Sequence, residues 1–234
     1  MQAIILAGGK GRRLLPYTTV LPKPLMPIGD YPIIEVILRQ LKRCGFNKIS
    51  ISTGYLHELI HAYLDSNKTL GLKINYSHEE TPLGTIGPIR LIKNLDQTFL
   101  VMNGDTLTDL DFRKLIQSHK KRGAIATIAT YQRDEKIDFG VLEKKSDNKI
   151  IKFREKPKYH FNVSMGVYVF SKRILDYVPA NTPFGFDQLM HVLIAKNEEV
   201  YSYPHVGYWL DIGRPDDYAR SIKEFERFKG RFLP

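Results

Sequence analysis

Residues 1–14 read Met1-Gln2-Ala3-Ile4-Ile5-Leu6-Ala7-Gly8-Gly9-Lys10-Gly11-Arg12-Arg13-Leu14. Ala3 to Leu6 is a short apolar run of strand-forming residues, and the glycines that follow stop it and free the backbone to turn sharply. Outward from this stretch, Lys48 to Thr53, Lys73 to Tyr76, Phe99 to Met102 and Ala124 to Thr130 repeat the short apolar run, with helix-period segments between them. Ile33, Ile34, Ile37, Leu38 and Leu41 recur at helical spacing, and Gly45 follows as a stop signal. Strands alternating with helices are the pattern of βαβ units, so the chain predicts an α/β fold with a mainly parallel sheet and right-handed crossovers.

Beyond about Ile137 the pattern changes. Gly140 to Glu143 and Ile150 to Phe153 flank Ser146-Asp147-Asn148 as a hairpin would, and Met165 to Phe170 reads as a strand. Val200 to Tyr203 and Tyr208 to Leu210 read as two more, ahead of a helix from Pro215 to about Lys229 whose first turn holds Asp216 and Asp217. No shift in composition and no internal repeat divides the chain, so residues 1–234 are expected to form one domain, this second part being an insertion or a second half of it.

The hydrophobic share of 43%, with 11% aromatic residues, is that of a chain able to build a core. No apolar run approaches the ~20 residues that span a bilayer, and Ala3 to Leu6 is far shorter than the core of a signal peptide, which predicts a cytoplasmic protein with no membrane partner. The single cysteine, Cys44, excludes an internal disulfide and a cysteine metal site and reads as structural. A net charge of +10 calls for anionic ligands, yet Lys10 to Arg13, Lys120 to Arg122 and Lys152 to Lys158 are scattered instead of forming one basic tail, which argues against nucleic acid and for small phosphates.

The Gly8 to Gly11 turn lets backbone amides approach an anion, and the arginines after it suit phosphate oxygens. Such turns are common after strands, and the spacing is neither the P-loop pattern nor G-x-G-x-x-G. Pro16-Tyr17-Thr18 and Leu21-Pro22-Lys23-Pro24 follow, where two prolines fix the approach of Lys23. Asp105 ends the run Phe99 to Met102 at the carboxyl edge where open sheets bind ligands; the other reading, a helix cap, suits Asp111 better, ahead of a helix Phe112 to Arg122. Asp211 lies in a Trp-x-Asp-x-Gly setting too apolar for an unpartnered carboxylate. His57 and His61 stand one turn apart with no third ligand in view, as surface or core histidines would.

Leu-Ala-Gly-Gly-x-Gly-x-Arg-Leu with Pro-Lys-Pro resembles the sugar nucleotidyltransferase family, and later segments agree in order: Leu83-Gly84-Thr85, Asn103-Gly104-Asp105, Glu155-Lys156-Pro157, Met165-Gly166-Val167-Tyr168 and Trp209-Leu210-Asp211-Ile212-Gly213-Arg214-Pro215. The resemblance covers essentially the whole chain. It implies a Rossmann-like α/β core over about 1–136, a smaller sugar-binding portion over about 137–234 and no β-helix extension. The implied substrates are a nucleoside triphosphate and a sugar 1-phosphate, with Mg²⁺ held by Asp105 and Asp211, and a homodimer is possible. Arg13, Lys23, Asp105 and Asp211 are the implied catalytic residues. Leu6, Ala7, Gly8, Gly9, Gly11, Arg13, Lys23, Glu80, Gly84, Asn103, Gly104 and Asp105 would bind the nucleotide; Gly140, Glu155, Lys156, Ser164 and Gly166 would bind the sugar phosphate. Arg12, where the family commonly has Thr or Ser, and Ser164, where it commonly has Asn, depart from the pattern. Glu80, with Glu79 as second candidate, would accept from the two donors of guanine, which favours GTP over the alternatives dTTP, UTP and CTP; among sugars a mannose- or heptose-like one is favoured, although the sequence does not name it. Two other readings compete: a GT-A glycosyltransferase using Asp109-Leu110-Asp111 for its metal, and a non-catalytic nucleotide-binding regulator.

Overall fold

A computed structural model describes residues 1–67 and 70–233. The strands, in chain order, are β1 (Gln2–Ala7), β2 (Pro27–Ile28), β3 (Tyr31–Pro32), β4 (Lys48–Thr53), β5 (Lys73–His78), β6 (Thr98–Asn103), β7 (Thr106–Thr108), β8 (Ala126–Lys136), β9 (Val141–Lys144), β10 (Ile150–Arg154), β11 (Lys158–Ser171), β12 (Val200–His205) and β13 (Trp209–Asp211). The helices are α1 (Ile33–Arg43), α2 (His57–Ser66), α3 (Phe112–Arg122), α4 (Phe186–Ala195) and α5 (Pro215–Phe232). None of the described helices is long and apolar enough to cross a membrane.

One mixed sheet carries seven strands in the order β12-β8-β11-β6-β1-β4-β5. β6, β1, β4 and β5 run parallel to one another, as does β12 to β8, while β11 is antiparallel to both β8 and β6. The expected α/β fold with a mainly parallel sheet is therefore present, and the strands of both halves share it. Strands buried on both faces explain the apolar runs. Ile5, Leu100 and Met102 face a core completed by α1, α3 and α5, whereas Ile4, Phe99 and Val101 face a second core completed by α4 and the 3₁₀ turn Gly87–Leu91. Each fully buried Ile or Leu of α1, such as Ile34 and Leu38, contributes ~1.5–3 kcal/mol of transfer free energy before its ordering entropy is subtracted.

Local signals set the helix ends. Asp111 accepts hydrogen bonds from the amides of Arg113 and Lys114 at 2.9 and 3.3 Å, so it caps α3, and Gly123 ends that helix at φ +62°. β8 and β11 are longer than the sequence suggested. Beyond Thr130 and before Ser164 they form an outlying ribbon whose exposed faces impose no alternation of apolar and polar residues.

His119 of α3 is 2% exposed, its Nδ1 2.9 Å from Thr127 Oγ1 and its Nε2 3.2 Å from Ser171 Oγ. Burial, aided by neighbouring Lys120, pulls its pKa down to about 4. The unfolded chain takes up this proton below the ordinary histidine pKa and the folded chain does not, so stability is expected to fall as pH drops from about 6.5 towards 4. His119→Gln should flatten that slope in urea denaturation measured across this range; an unchanged slope would remove His119 as its source.

Candidate active site

The carboxyl ends of β1, β4 and β6 lie side by side, with Leu6 in register with Ser52 and Asn103. The turns that leave them are closely packed at Gly8, Gly54 and Gly104. Gly104 donates its amide to Leu6 O at 2.9 Å, and a Cβ on Gly8 would stand 2.4 Å from Glu79 Oε1. Gly11 sits at φ +60°, where its carbonyl accepts from Thr18 Oγ1 at 2.9 Å and from the Leu14 amide at 2.8 Å. Above this floor opens a cavity of about 530 Å³. Leu6, Ala7, Gly8, Gly9 and Gly11 line it from one side, Asn103, Gly104 and Asp105 from another, and Gly84 with Pro82 and Thr85 close a third. Arg13 and Lys23 also reach it, and so does Arg12, so the residue that departs from the family pattern is on the cavity wall.

Asp105 stands in the turn after β6, not at the strand's end, and the short strand β7 follows it. β7 pairs antiparallel with β13, Thr106 opposite Asp211, and the Ile212 amide donates to Asp105 O at 3.1 Å. This ladder brings together two carboxylates from distant parts of the chain. Lys23, held in the turn Lys23–Leu25 after buried Pro22, forms an ion pair with Asp105 Oδ2. Asp105 Oδ1 is buried and meets no hydrogen-bond partner among the described residues. Asp211 is pushed above the ordinary carboxylate pKa by burial first and by the negative charge of Asp105 second, with Lys23 and Arg13 opposing. Arg13 lies against Gly213, where a Cβ would come within 3.2 Å of its guanidinium. Asp105, Lys23 and Arg13 thus share one edge of the cavity, and Asp211, which is not on its wall, lies behind them within reach of all three charges.

Of the two glutamates, only Glu79 lines this cavity; it also borders a neighbouring one behind the glycine loop, where the exposed Glu80 lies. The choice follows from the end of β5, where the Glu79 amide bonds to Thr53 O at 2.9 Å and extends the strand pairing by one residue. Successive side chains then point to opposite faces. Glu79 accepts from Ser52 Oγ at 3.2 Å and from the Leu83 amide at 2.8 Å, and burial raises its pKa against these two bonds.

The residues expected on the sugar side are not on the cavity wall. Glu155 and Lys156 are exposed between β10 and β11, and Gly140 lies beneath the Phe153 ring. Ser164 Oγ donates to Tyr168 Oη at 3.3 Å, and Gly166 packs against Asn103, leaving no room there for a Cβ. The acidic triplet of the glycosyltransferase reading is otherwise engaged: Asp109 accepts from the Tyr208 amide at 2.7 Å and meets His205 Nε2 at 2.9 Å, while Asp111 caps α3. His78 joins His57 and His61, its ring centroid 4.0 Å from that of His57, a neighbour that sequence spacing did not reveal. No group of three histidine, cysteine or acidic side chains among the described residues is arranged to hold a metal ion. Thr85, Pro82 and Gly213 line the cavity without having been singled out, although each lies in or beside a quoted motif.

The sequence pattern of the nucleotidyl transferase family matches residues 2–227. The chain belongs to that family. A D-glycero-alpha-D-manno-heptose 1-phosphate guanylyltransferase of Aneurinibacillus thermoaerophilus is 36% identical over 232 residues, covering 97% of this chain and all of the relative. Mannose-1-phosphate guanylyltransferase catalytic subunit beta of Dictyostelium discoideum is 35% identical over 95% of this chain, which spans 64% of that longer protein. Among solved structures, HddC from Yersinia pseudotuberculosis superposes with a TM-score of 0.74 at 28% identity, covering 96% of this chain and 99% of HddC. HddC complexed with GMP-PN superposes with a TM-score of 0.73 at 26% identity over the same shares.

Proposed function

We propose that this nucleotidyl transferase moves a nucleoside monophosphate from GTP to a sugar 1-phosphate of the heptose or mannose class, giving a nucleotide-sugar and pyrophosphate. The observation that carries the reading is the charge cluster beside the glycine turn, where Asp105, Lys23 and Arg13 line the cavity edge and Asp211 lies directly behind them. A phosphate oxygen of the sugar 1-phosphate attacks the α-phosphorus; one P–O bond forms, the bond to the β-phosphate bridge oxygen breaks, and the electron pair leaves on pyrophosphate. No proton transfer and no covalent enzyme intermediate are needed, so the protein's task is alignment and charge compensation.

The amides of the Gly8 to Gly11 turn, Arg13 and Arg12 bind the β- and γ-phosphates, and Lys23 neutralises the α-phosphate. The residues present fit a divalent cation. Asp105 offers a buried oxygen without a partner, Asp211 a carboxylate whose charge is disfavoured as it stands, and Mg²⁺ takes few carboxylates with phosphate oxygens and water. Asp105 and Asp211 would hold Mg²⁺, which when bound offsets the charge on the reacting phosphates. Glu79, in place of Glu80, reads the base, its two oxygens accepting from N1–H and the 2-amino group of guanine. The nucleotide contacts fall within about 1–136, and Glu155, Lys156, Gly140, Ser164 and Gly166 form the sugar side within 137–234.

A pyrophosphate-release screen crossing GTP, dTTP, UTP, CTP and ATP with heptose, mannose, glucose and glucosamine 1-phosphates tests the proposal. GTP with a heptose or mannose substrate is the expected optimum, and absence of pyrophosphate from every pair would refute the activity. Glu79→Gln is expected to narrow the advantage of GTP over UTP by about ten- to a hundredfold in kcat/KM, as the loss of a hydrogen bond to a charged acceptor implies. Glu80→Gln should leave the ranking unchanged.

A further inference from the structure

Ser52 occupies a position on β4 where a parallel strand ordinarily carries a branched apolar residue: it is 0% exposed, between Leu6 of β1 and Ser77 of β5. Its strand neighbours Ile49 and Ile51 face the other side, into the α1 core. A hydroxyl in such a place costs stability unless it is bonded. Its bond goes to Glu79 Oε1 at 3.2 Å, while the Leu83 amide bonds Oε2 at 2.8 Å. One protein donor on each carboxylate oxygen fixes the rotation of the group and leaves each oxygen a lone pair for an outside donor. Oε1 lies over Gly8, where a side chain would intrude, since a Cβ there would stand 2.4 Å from it.

We propose that Ser52 is a positioning residue for base selection: without touching the nucleotide, its hydroxyl and the Leu83 amide hold the Glu79 carboxylate in the one orientation that meets both donors of guanine. Two adjacent N–H groups are satisfied only by a carboxylate presented edge-on. A carboxylate free to turn, or one that has taken up a proton in its buried setting, offers fewer acceptors to guanine, whereas a pyrimidine imide never required two. Base preference therefore depends on a side chain one layer beneath the cavity. The inference rests on Glu79 reading the base.

Steady-state kinetics with GTP and UTP on one sugar 1-phosphate test it in the wild type, Ser52→Ala, Ser52→Thr and Glu79→Gln. Ser52→Ala is expected to raise KM for GTP about tenfold, the scale of a lost bond to a charged acceptor, with the change in KM rather than kcat and with the UTP constants moved much less. Ser52→Thr keeps the hydroxyl on a strand-compatible side chain and should restore the GTP preference. Should the alanine variant not fold, Ser52→Cys, close in size and a weak donor, should show the same GTP-selective loss. Equal losses for GTP and UTP, or a threonine variant that behaves like alanine, would make Ser52 a packing residue and overturn the proposal. Glu79→Gln separates the two ideas: if it shifts the GTP-to-UTP ratio and Ser52→Ala does not, the Ser52 role fails alone. If neither shifts it, the base reading fails and takes the Ser52 role with it.

Discussion

Asp105→Asn and Asp211→Asn are each expected to lower kcat by about a thousandfold in pyrophosphate release at saturating Mg²⁺ and nucleotide, the scale of losing one group that compensates charge in the transition state. The pairing of β7 with β13 sets the two carboxylates together, so each variant removes half of the acidic pair. The Asp211 variant carries a second expectation of opposite sign. A carboxyl whose folded pKa is raised binds its proton more tightly in the folded than in the unfolded chain, so the stability it confers is present at low pH and lost as pH rises through the raised value. Above that value the disfavoured Asp211 charge burdens the metal-free fold, and Asp211→Asn should melt at a higher temperature than the wild type. Adding Mg²⁺ with nucleotide should raise the melting temperature of the wild type and leave that of the variant nearly unmoved. Near-normal turnover in either variant, or an Asp211→Asn protein that melts lower without metal, would dismantle the shared site.

Lys23→Ala is expected to reduce kcat by about a hundredfold while KM for GTP changes by less than about threefold, because a charge on the α-phosphate matters most as the transition state develops. The geometry behind this is a lysine with little freedom: Pro22 and Pro24 are buried on either side, and Pro24 packs against Gly104. Lys23→Arg should rescue little, since a planar guanidinium does not fit the place of a compact ammonium. A variant with normal kcat and a raised KM would reduce Lys23 to ground-state binding.

Much of this was legible in the sequence, and the reasons differ by element. β4 and α3 lie where periodicity put them, because each has one sharply bounded apolar face and, in α3, a capping aspartate. The glycine turn and Lys23 were visible because glycine and proline restrict the backbone in ways that composition reveals. The proximity of Asp105 and Asp211 was supplied by the family resemblance alone, since β7 and β13 have three residues each and make no periodic pattern. Glu79 and Glu80 could not be separated by sequence, because their sides depend on whether β5 pairing continues through one more hydrogen bond to Thr53. Ser52 carries no signal of its own in the sequence, since a serine alternating with isoleucines fits a strand with one polar face, and its burial comes from packing on both faces of the sheet.

The β7–β13 ladder also governs when the protein becomes competent during synthesis. β1, β4 and β6 can pair as soon as the first 103 residues have emerged, and the glycine turn can then take its shape. The acidic pair waits for Trp209–Asp211, and β8 and β12 join the sheet through β11, which lies antiparallel beside β6. Contacts of such long sequence separation form late and close large loops. A nascent or truncated chain lacking Trp209–Asp211 would thus carry the phosphate-binding turn but only half of the acidic pair, so that pair is complete only after residue 211 has been made.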